Sequence, residues 1–309
     1  MTYLITGVAG FIGTNMALSC LKKGKKVVGI DNLITGNNKN IEHLLSYSNF
    51  DFFEVAIEEK RISKILKDAS IDKIFHLACP TGVPNLEILQ EEMMMSLSCG
   101  MKNILQLAKE KKASLVFSSS SEVYGDPQVF PQTEEYFGNV NPIGPRSPYE
   151  EGKRFSEALL MVYVKKYKIH ASIIRIFNTY GPFFSEKDER VIPKFCTLVK
   201  KGKNLLIHGK GEQKRTFLFI DDLIEAFHLV MEKGNFGDVF NVGSTKQYKI
   251  IDVANLILQI VGETKSKIVF QSRPKHDHEQ RLPSVEKIEK LGWKEKISLE
   301  EGITILLKN

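Results

Sequence analysis

The chain contains 309 residues, of which 42% are hydrophobic and 26% are charged. This is the balance of an ordinary globular protein with a sizeable core, and the length suits one large α/β domain with or without a small lobe. The formal net charge of +6 is too modest to indicate nucleic-acid binding, although it would favour a phosphorylated ligand.

The four cysteines are scattered along the chain without a Cys-x-x-Cys pair, and no signal peptide or transmembrane run is visible. Scattered cysteines of this kind indicate reduced packing residues rather than disulfides. We therefore expect a cytoplasmic protein with no membrane partner and no bound metal.

The first predicted strand, Thr2–Thr6, runs directly into a glycine-rich turn and then a helix. The spacing Gly7-x-x-Gly10-x-x-Gly13 is weak evidence alone but strong between a strand and a helix. Gly7 permits the tight turn, Gly10 lets the backbone approach a pyrophosphate, and Gly13 lets helix and strand pack closely. Because the amino terminus of the helix would face the anion, the pattern predicts a dinucleotide-binding turn.

The second predicted strand begins at Lys26 and ends at Asp31, about twenty residues beyond the turn. A carboxylate at this point binds ribose hydroxyls and disfavours a 2′-phosphate. We therefore expect NAD rather than NADP as the cofactor.

Strands and helices continue to alternate after Asp31, and this alternation predicts a doubly wound parallel sheet. The predicted segments are a helix over 41–47, a strand over 50–55, a helix over 62–69 and a strand over 73–77. A loop over 76–82 should arch over the cofactor, with His76 as a packed strand-end residue rather than a catalyst. A long helix over 86–111 follows, in which methionines 93–95 indicate packing or a subunit interface.

The most informative stretch combines serines, a tyrosine and a lysine. Four serines, 118–121, follow a predicted strand over 114–117, and open α/β sheets bind ligands at the carboxyl ends of their strands. Tyr149 and Lys153 are four residues apart on a predicted helix and therefore share one face. A lysine there should lower the tyrosine pKa from about 10 toward working pH. Such a serine, tyrosine and lysine can together move a proton on or off a sugar hydroxyl.

The last third of the chain predicts a smaller C-terminal substrate-binding lobe, partly interleaved with the sheet. A strand runs into a helix whose first residues, Asp221 and Asp222, indicate capping rather than catalysis. The run 275–279, Lys-His-Asp-His-Glu, lacks the spaced partners of a metal site and predicts a loop. We expect an NAD-binding domain with the catalytic residues over 1–178 and a mainly nucleotide-sugar-binding lobe over 179–309.

Over essentially its full length, the chain resembles the extended short-chain dehydrogenase/reductases of the nucleotide-sugar epimerase/dehydratase group. The motifs that fall in the family order are Gly7-x-x-Gly10-x-x-Gly13, Ser120, Tyr149-x-x-x-Lys153 and Arg175-Ile176-Phe177-Asn178-Thr179-Tyr180-Gly181-Pro182. Within the group the chain is most similar to UDP-glucuronate decarboxylases. The runs that carry this similarity are Ser121-Glu122-Val123-Tyr124-Gly125-Asp126-Pro127, residues 138–146 and Glu151-Gly152-Lys153-Arg154.

The resemblance implies a Rossmann-type fold and a role for each matching residue. Tyr149 would take the proton of the sugar C4 hydroxyl, Ser120 would be its hydrogen-bonding partner, and Lys153 would bind the nicotinamide ribose. Hydride would pass from C4 to NAD and leave a 4-ketone. In a decarboxylase this ketone makes the C6 carboxylate a β-keto acid, which loses carbon dioxide, and Glu122 and Arg281 would serve that later step.

The same resemblance implies two sets of binding residues and a homodimer. The implied cofactor-binding residues are Gly7, Gly10, Phe11, Ile12, Gly13, Asp31, Asn32, Leu77, Ala78, Tyr149 and Lys153. The implied residues for the nucleotide-diphosphate sugar are Ser121, Asn178, Arg190, Arg215 and Arg281. The homodimer would pair helices 86–111 and 149–168 into a four-helix bundle.

The chain also departs from these enzymes at several positions. Ser121 precedes Glu122 where the dehydratases carry an Asp-Glu pair, which counts against a 4,6-dehydratase. Phe183 and His208 replace an arginine and a tyrosine that are usual in the decarboxylases, and the loop over 78–83 differs as well. A UDP-glucuronate decarboxylase is the first expectation. The alternatives are a C4-dehydrogenase or 4-epimerase on a UDP-sugar or a GDP-heptose and, from another class, a non-catalytic dinucleotide-binding sensor.

Overall fold

A seven-stranded parallel sheet lies at the centre of the described residues, which are 1–82, 84–185, 188–272 and 281–308 of a computed structural model. The strands are β1 (Thr2–Thr6), β2 (Lys26–Asp31), β3 (Phe50–Glu54), β4 (Lys73–His76), β5 (Ser114–Ser120), β6 (Ala171–Ile176), β7 (Thr179–Tyr180), β8 (Leu205–His208), β9 (Lys214–Thr216), β10 (Leu218–Phe219), β11 (Val239–Val242), β12 (Gln247–Lys249) and β13 (Ile268–Gln271). The central sheet has the order β11-β6-β5-β4-β1-β2-β3.

Helices cover both faces of this sheet. They are α1 (Phe11–Lys22), α2 (Asn38–Leu45), α3 (Ile62–Ile65), α4 (Asn85–Ile88), α5 (Gln90–Met95), α6 (Met101–Lys111), α7 (Ser147–Tyr167), α8 (Val191–Lys200), α9 (Ile220–Lys233), α10 (Ile250–Val261), α11 (Glu286–Glu289) and α12 (Leu299–Lys308). In β1, Tyr3 and Ile5 belong to the core that contains α1 and α9, whereas Leu4 belongs to the core that contains α6 and α7. The alternation of side chains along a strand explains this division.

The strand order reverses between β1 and β4. From β1 the chain proceeds outward through β2 and β3, whereas β5, β6 and β11 extend the sheet from β4 in the other direction. The last residues of the two neighbours, Thr6 and His76, are register partners. Ligands bind at such a switch point, outside the carboxyl ends of the strands. The predicted Rossmann-type doubly wound sheet is therefore confirmed, and it directs both the glycine turn and the serine run toward one crevice.

The prediction of one long helix over 86–111 is wrong in detail. The segment consists of α4, α5, a π-helix over Ser96–Gly100, and α6. The π-helix lies between the cofactor loop and α7, because Ser96 donates a hydrogen bond to the Ala78 carbonyl at 3.4 Å and Ser156 donates one to the Leu97 carbonyl at 2.5 Å. A π-turn widens the helix by one residue, which a regular hydrophobic period does not reveal.

The described residues after 178 form three small sheets, β7 with β10, β8 with β13, and β9 with β12. The same part of the chain also supplies α9 and β11, which pack on the central sheet. The division of labour between 1–178 and 179–309 stays a prediction. The predicted loop over 275–279 and Val83 of the cofactor loop lie outside the described residues.

Asp222 has a different role from the predicted one. Its carboxylate accepts backbone hydrogen bonds from Lys296 at 3.1 Å and Ile297 at 3.0 Å, and no side-chain hydrogen bond caps α9. Trp293 donates its indole N–H to the Asp222 carbonyl at 2.9 Å. Asp222 therefore binds the segment before α12 to α9. This role could not be predicted, because the contacts join residues that are distant in sequence.

Candidate active site

The glycine turn after β1 forms a tight cradle. Gly7 has φ +72°, and a Cβ atom there would lie 2.8 Å from the Ala78 Cα atom. A Cβ atom at Gly13 would lie 2.0 Å from the Gly7 carbonyl oxygen, so that only glycine fits. α1 begins with Phe11 and Ile12, which were predicted to bind the cofactor. The helix has no side-chain cap and no acidic residue in its first turn. Its first backbone N–H groups are therefore suited to an anion such as a pyrophosphate.

Asp31 ends β2 beside this turn, as predicted. Its carboxylate accepts backbone hydrogen bonds from Ala9 at 3.0 Å and Leu33 at 2.8 Å. Burial raises the pKa of Asp31, with a smaller contribution from Glu54, while the backbone N–H groups, including that of Asn32, act in the opposite direction. Two carboxylate oxygens offer about four acceptor sites, so lone pairs remain for ribose hydroxyls.

Two asparagines fasten the segment after β7 to the glycine turn. The Asn15 side chain donates to the Pro182 carbonyl at 3.0 Å. The Asn40 side chain donates to the Ala9 carbonyl at 3.0 Å and to the Phe183 carbonyl at 3.3 Å. Phe183 has φ +67°, a conformation that is unfavourable for a side chain with a Cβ atom. Neither asparagine was predicted to be functional, although a polar residue on the buried face of a helix is a usable signal.

His76 is a packed strand-end residue, as predicted, and organises the cofactor loop. Thr6 Oγ1 accepts backbone hydrogen bonds from Leu77 at 3.1 Å and Ala78 at 3.2 Å and lies 2.8 Å from His76 Nδ1. The threonine proton is thus directed at Nδ1, which requires the neutral tautomer with its hydrogen on Nε2. Burial lowers the pKa of His76 to about 3, and the Lys153 charge acts in the same direction.

The predicted serine, tyrosine and lysine meet at the end of β5. Tyr149 lies in the first turn of α7, and the Ser120 hydroxyl is near enough to its phenol to lower the tyrosine pKa. Lys153, one turn later, donates to the Ser118 carbonyl at 2.6 Å and is 2% exposed. Its ammonium nitrogen lies 4.8 Å from the centroid of the Phe117 ring and 5.7 Å from that of Tyr149.

The prediction that Lys153 lowers the Tyr149 pKa is wrong for these residues by themselves. Burial raises the pKa of Tyr149 above its usual value, and the neighbouring Cys79 acts in the same direction, while the Ser120 hydrogen bond opposes them. The lysine charge is engaged by the Ser118 carbonyl, and burial lowers the pKa of Lys153 itself. Sequence spacing gives the distance between two side chains but not the cost of burying the phenolate.

Four charged side chains form a cluster beside the serine run. Glu122 lies between two guanidinium groups, since one of its carboxylate oxygens contacts Arg281 and the other lies 2.5 Å from Arg146. Arg146 also reaches Glu150 at 3.3 Å, and Arg281 donates to the Ser121 hydroxyl at 3.2 Å. Burial acts to raise the pKa of Glu122, but the two arginines outweigh it and hold the value at about 2.

A second hydrogen-bonded network, formed by Glu157, Arg175 and Tyr124, holds the serine run through Ser119. Ser119 donates to the Glu157 carboxylate at 2.6 Å, and Arg175 binds the same carboxylate with two hydrogen bonds, at 3.0 and 2.7 Å. Arg175 also donates to the Tyr124 hydroxyl at 2.9 Å. In the sequence, Arg175 is distinguished only as part of the motif over 175–182. The contact follows from strand pairing, because Ser119 and Arg175 are register partners on β5 and β6.

The remaining predicted substrate residues lie on other elements. Asn178 is exposed between β6 and β7. Arg190 forms an ion pair with Asp188 at 2.5 Å, and its guanidinium carbon lies 5.3 Å from the centroid of the Phe11 ring. Arg215 lies on β9. The proposed contacts of these three residues with a substrate diphosphate stay predictions.

No described helix is both long and apolar enough to cross a membrane. No group of three or more histidine, cysteine, aspartate or glutamate side chains among these residues could hold a metal ion.

The sequence is similar to curated enzymes along nearly all of its length. UDP-glucuronic acid decarboxylase 1 of Xenopus tropicalis is 37% identical over 301 residues, which are 97% of this chain and 70% of that protein. UDP-glucuronic acid decarboxylase 4 of Arabidopsis thaliana is 35% identical over 307 residues, which are 99% of this chain and 68% of that protein.

Solved structures share the fold. UDP-glucuronic acid 4-epimerase from Bacillus cereus, in complex with UDP-glucuronic acid and NAD, has a TM-score of 0.88 and 29% identity, with 100% of this chain and 98% of that chain covered. UDP-glucose 4-epimerase from Thermotoga maritima, with UDP-glucose, has a TM-score of 0.91 and 28% identity at the same coverage.

The family described as GDP-mannose 4,6 dehydratase matches residues 4–306. This match and the identities above confirm the predicted resemblance. The chain therefore belongs to this family of extended short-chain dehydrogenase/reductases, in the nucleotide-sugar epimerase/dehydratase group.

Proposed function

We propose that the protein is an NAD-dependent enzyme that oxidises C4 of a nucleotide sugar, and that UDP-glucuronate is the substrate that it decarboxylates. The observation that carries the proposal is the Glu122–Arg281 pair beside Ser120 and Tyr149. The site thus combines a proton-transfer pair, Ser120 and Tyr149, with the guanidinium group of Arg281, which suits the carboxylate of a sugar. The identity to UDP-glucuronic acid decarboxylases supports it.

The residues of the crevice fit NAD. The uncapped start of α1 suits a pyrophosphate, and the Asp31 carboxylate suits the ribose hydroxyls of NAD and disfavours the 2′-phosphate of NADP. Lys153 would bind the nicotinamide ribose, and Leu77 and Ala78 would also belong to the residues that hold the cofactor. When bound, NAD supplies the hydride acceptor and one positive charge.

Tyr149 serves as the general base for the C4 hydroxyl, and Ser120 shares the hydroxyl proton with it. Because burial raises its pKa, the tyrosine is protonated in the protein alone. It therefore needs added positive charge to act as a base, and afterwards it is well suited to return the proton to the C4 oxygen.

The next step begins once C4 is a ketone. The C6 carboxylate is then attached to the carbon beside the ketone, as in a β-keto acid, and carbon dioxide leaves as the C5–C6 electron pair moves toward C4 to give an enolate. Protonation of C5 and return of the hydride to C4 would then give a UDP-pentose. Arg281 would orient the carboxylate through its planar fork. Glu122 stays ionised between two arginines, so its part is to position these groups rather than to donate a proton.

A 4-epimerase is the second candidate. The observation that favours it is the likeness to UDP-glucuronic acid 4-epimerase, whose ligand carries the same carboxylate. An epimerase would also use Tyr149 and Ser120 but would keep the C6 carboxylate in place. A 4,6-dehydratase is disfavoured, because Ser121 stands where that reaction has an aspartate.

The deciding experiment incubates the protein with NAD and UDP-glucuronate, follows carbon dioxide release, and identifies the products by mass spectrometry. The expected products are carbon dioxide and a UDP-pentose. A UDP-hexuronate of unchanged mass and altered C4 configuration would instead show an epimerase. If UDP-glucuronate is unchanged, a panel of UDP- and GDP-sugars would identify the substrate, and the decarboxylase proposal would be abandoned.

We also propose that the protein acts as a homodimer through α5 and α7. Apolar side chains on these two helices are exposed, at 47% for Met94, 40% for Met95, 52% for Phe155 and 52% for Val162. A four-helix bundle between two copies would cover them.

We further propose that residues 1–178 bind NAD and that residues 179–309 mainly bind the nucleotide sugar. We also propose a cytoplasmic location for the protein.

A further inference from the structure

The charge cluster contains a residue for which neither the motifs nor the proposed reaction gives a role. Arg146 immediately precedes α7, and its carbonyl accepts backbone hydrogen bonds from Tyr149 and Glu150, both at 3.1 Å. Its guanidinium group reaches Glu122 on the 3-10 helix Ser121–Tyr124. Arg146 thus joins the segment that carries the general base to the segment that carries the serines.

The two arginines hold Glu122 in different ways. Arg146 is oriented by a second carboxylate, because its Nε atom donates to Glu150 at 3.3 Å. Among the residues that the structure describes, the remaining contacts of Arg281 are with neutral groups, the Ser121 hydroxyl at 3.2 Å and the Gly125 carbonyl at 3.4 Å. Neutral contacts are weaker than charged ones, so Arg281 is the arginine that can exchange its partner at lower cost.

A C6 carboxylate would bring a third negative charge to a cluster of two arginines and two glutamates. If Arg281 turned toward it, Glu122 would lose one partner at a site where its side chain is only 16% exposed. A buried carboxylate without a partner is strongly unfavourable. The exchange is therefore possible only because Arg146 keeps its own contact with Glu122.

We propose that Arg146 is a positioning residue that retains the Glu122 carboxylate, so that Arg281 can exchange Glu122 for the carboxylate of the sugar. The inference rests on the proposed function, because it concerns a substrate with a C6 carboxylate. It goes beyond that function by giving Arg146 a part in selecting UDP-glucuronate over a sugar with a neutral C6 group.

The test measures binding by calorimetry with NAD-loaded protein in a Tyr149→Phe background, which prevents turnover. Arg146→Met should weaken UDP-glucuronate binding by about 10–100-fold, the range expected for a hydrogen bond between charged groups. Binding of UDP-glucose should change by less than about threefold, because this ligand does not require Arg281 to leave Glu122. If the role of Arg146 were merely structural, Arg146→Met would weaken the binding of both ligands by the same factor.

Glu122→Gln provides the second arm. In the Arg146→Met background it removes the charge that holds Arg281, so UDP-glucuronate binding should recover to within about threefold of the parent. Arg154→Met is the matched control. Arg154 also joins α7 to the serine segment, through the Val123 carbonyl at 3.0 Å, but contacts Glu151 rather than Glu122. It should leave the preference between the two ligands unchanged.

The outcomes separate this inference from the proposed function. If the unmodified enzyme releases carbon dioxide but Arg146→Met weakens both ligands equally, or Glu122→Gln fails to restore binding, the inference is wrong and the function stands. If UDP-glucuronate is preferred and the variants behave as expected but no carbon dioxide appears, the function is wrong and the inference stands. A parent protein with no preference for UDP-glucuronate overturns the inference, and release of carbon dioxide alone then decides the function.

Discussion

Acid should destabilise the fold through the buried imidazole of His76 and the partly buried imidazole of His228. Burial is the main cause that lowers the pKa of His76 to about 3 and that of His228 to about 4. In the unfolded chain both would titrate near the usual 6.5, so below that pH the unfolded chain binds more protons than the folded one. The stability that these neutral imidazoles contribute is fully present above pH 6.5 and is lost as the pH falls toward their folded values.

The expected size follows from these values. Each imidazole costs about 1.4 kcal/mol per pH unit below 6.5, hence about 2 kcal/mol at pH 5 and about 4 kcal/mol for both. This is a large share of the roughly 5–15 kcal/mol that stabilises a typical protein. Carboxyl groups whose pKa is raised by burial, such as Asp31, act in the opposite direction. The comparison is therefore made between variants that differ in one imidazole.

The assay is urea unfolding at pH 7 and pH 5, at one protein concentration, followed by circular dichroism. His228→Gln should reduce the loss of unfolding free energy between the two pH values by about 2 kcal/mol. Ser19→Ala is the control, since it removes the hydroxyl that lies 2.9 Å from His228 Nε2 but keeps the imidazole, and it should preserve the pH difference. An equal loss in His228→Gln and the unmodified protein would refute the reasoning that burial keeps His228 neutral.

Three further predictions concern the site and the assembly. Tyr149→Phe should slow reduction of bound NAD by about 10²–10⁴-fold, measured by NADH absorbance, with nearly unchanged nucleotide-sugar affinity; full hydride transfer would exclude Tyr149 as the base. Denaturing the purified protein should release NAD or NADH, identified by chromatography, and recovery of NADP(H) would overturn the assignment of Asp31. Light scattering should give a dimer that Val162→Glu converts to monomer, because a charge cannot be buried unpaired in the bundle, whereas a monomeric unmodified protein would rule out the proposed interface.

The parts of the site that follow from local backbone requirements could be predicted from sequence. Gly7 must adopt a positive φ and Gly13 must admit a carbonyl oxygen, and both constraints are visible as glycines at fixed spacing. Tyr149 and Lys153 share a face because a helix has a fixed period. The doubly wound sheet follows in the same way from alternating strands and helices.

The parts that depend on distant segments could not be predicted. Arg175 meets Glu157, and Arg146 meets Glu122, only after strands and helices have packed, and neither pair has a characteristic spacing. The prediction that the pKa of Tyr149 is lowered was wrong for a related reason. The sequence places a lysine near Tyr149, but the cost of burying its phenolate is set by every neighbour that excludes water.

The charge cluster also bears on the choice between reactions. Loss of water from C5 and C6 requires a proton donor, and the serine at 121 removes the carboxyl that the dehydratases use. Glu122 cannot replace it, since a carboxyl held at a pKa of about 2 by Arg146 and Arg281 stays ionised at neutral pH. Loss of carbon dioxide needs no such proton donor, because the C6 carboxylate is already ionised and departs as neutral carbon dioxide, and a cation serves only to orient it before the C5–C6 bond breaks. A site that keeps the Glu122 carboxylate ionised and holds Arg281 against it is therefore better suited to decarboxylation than to dehydration.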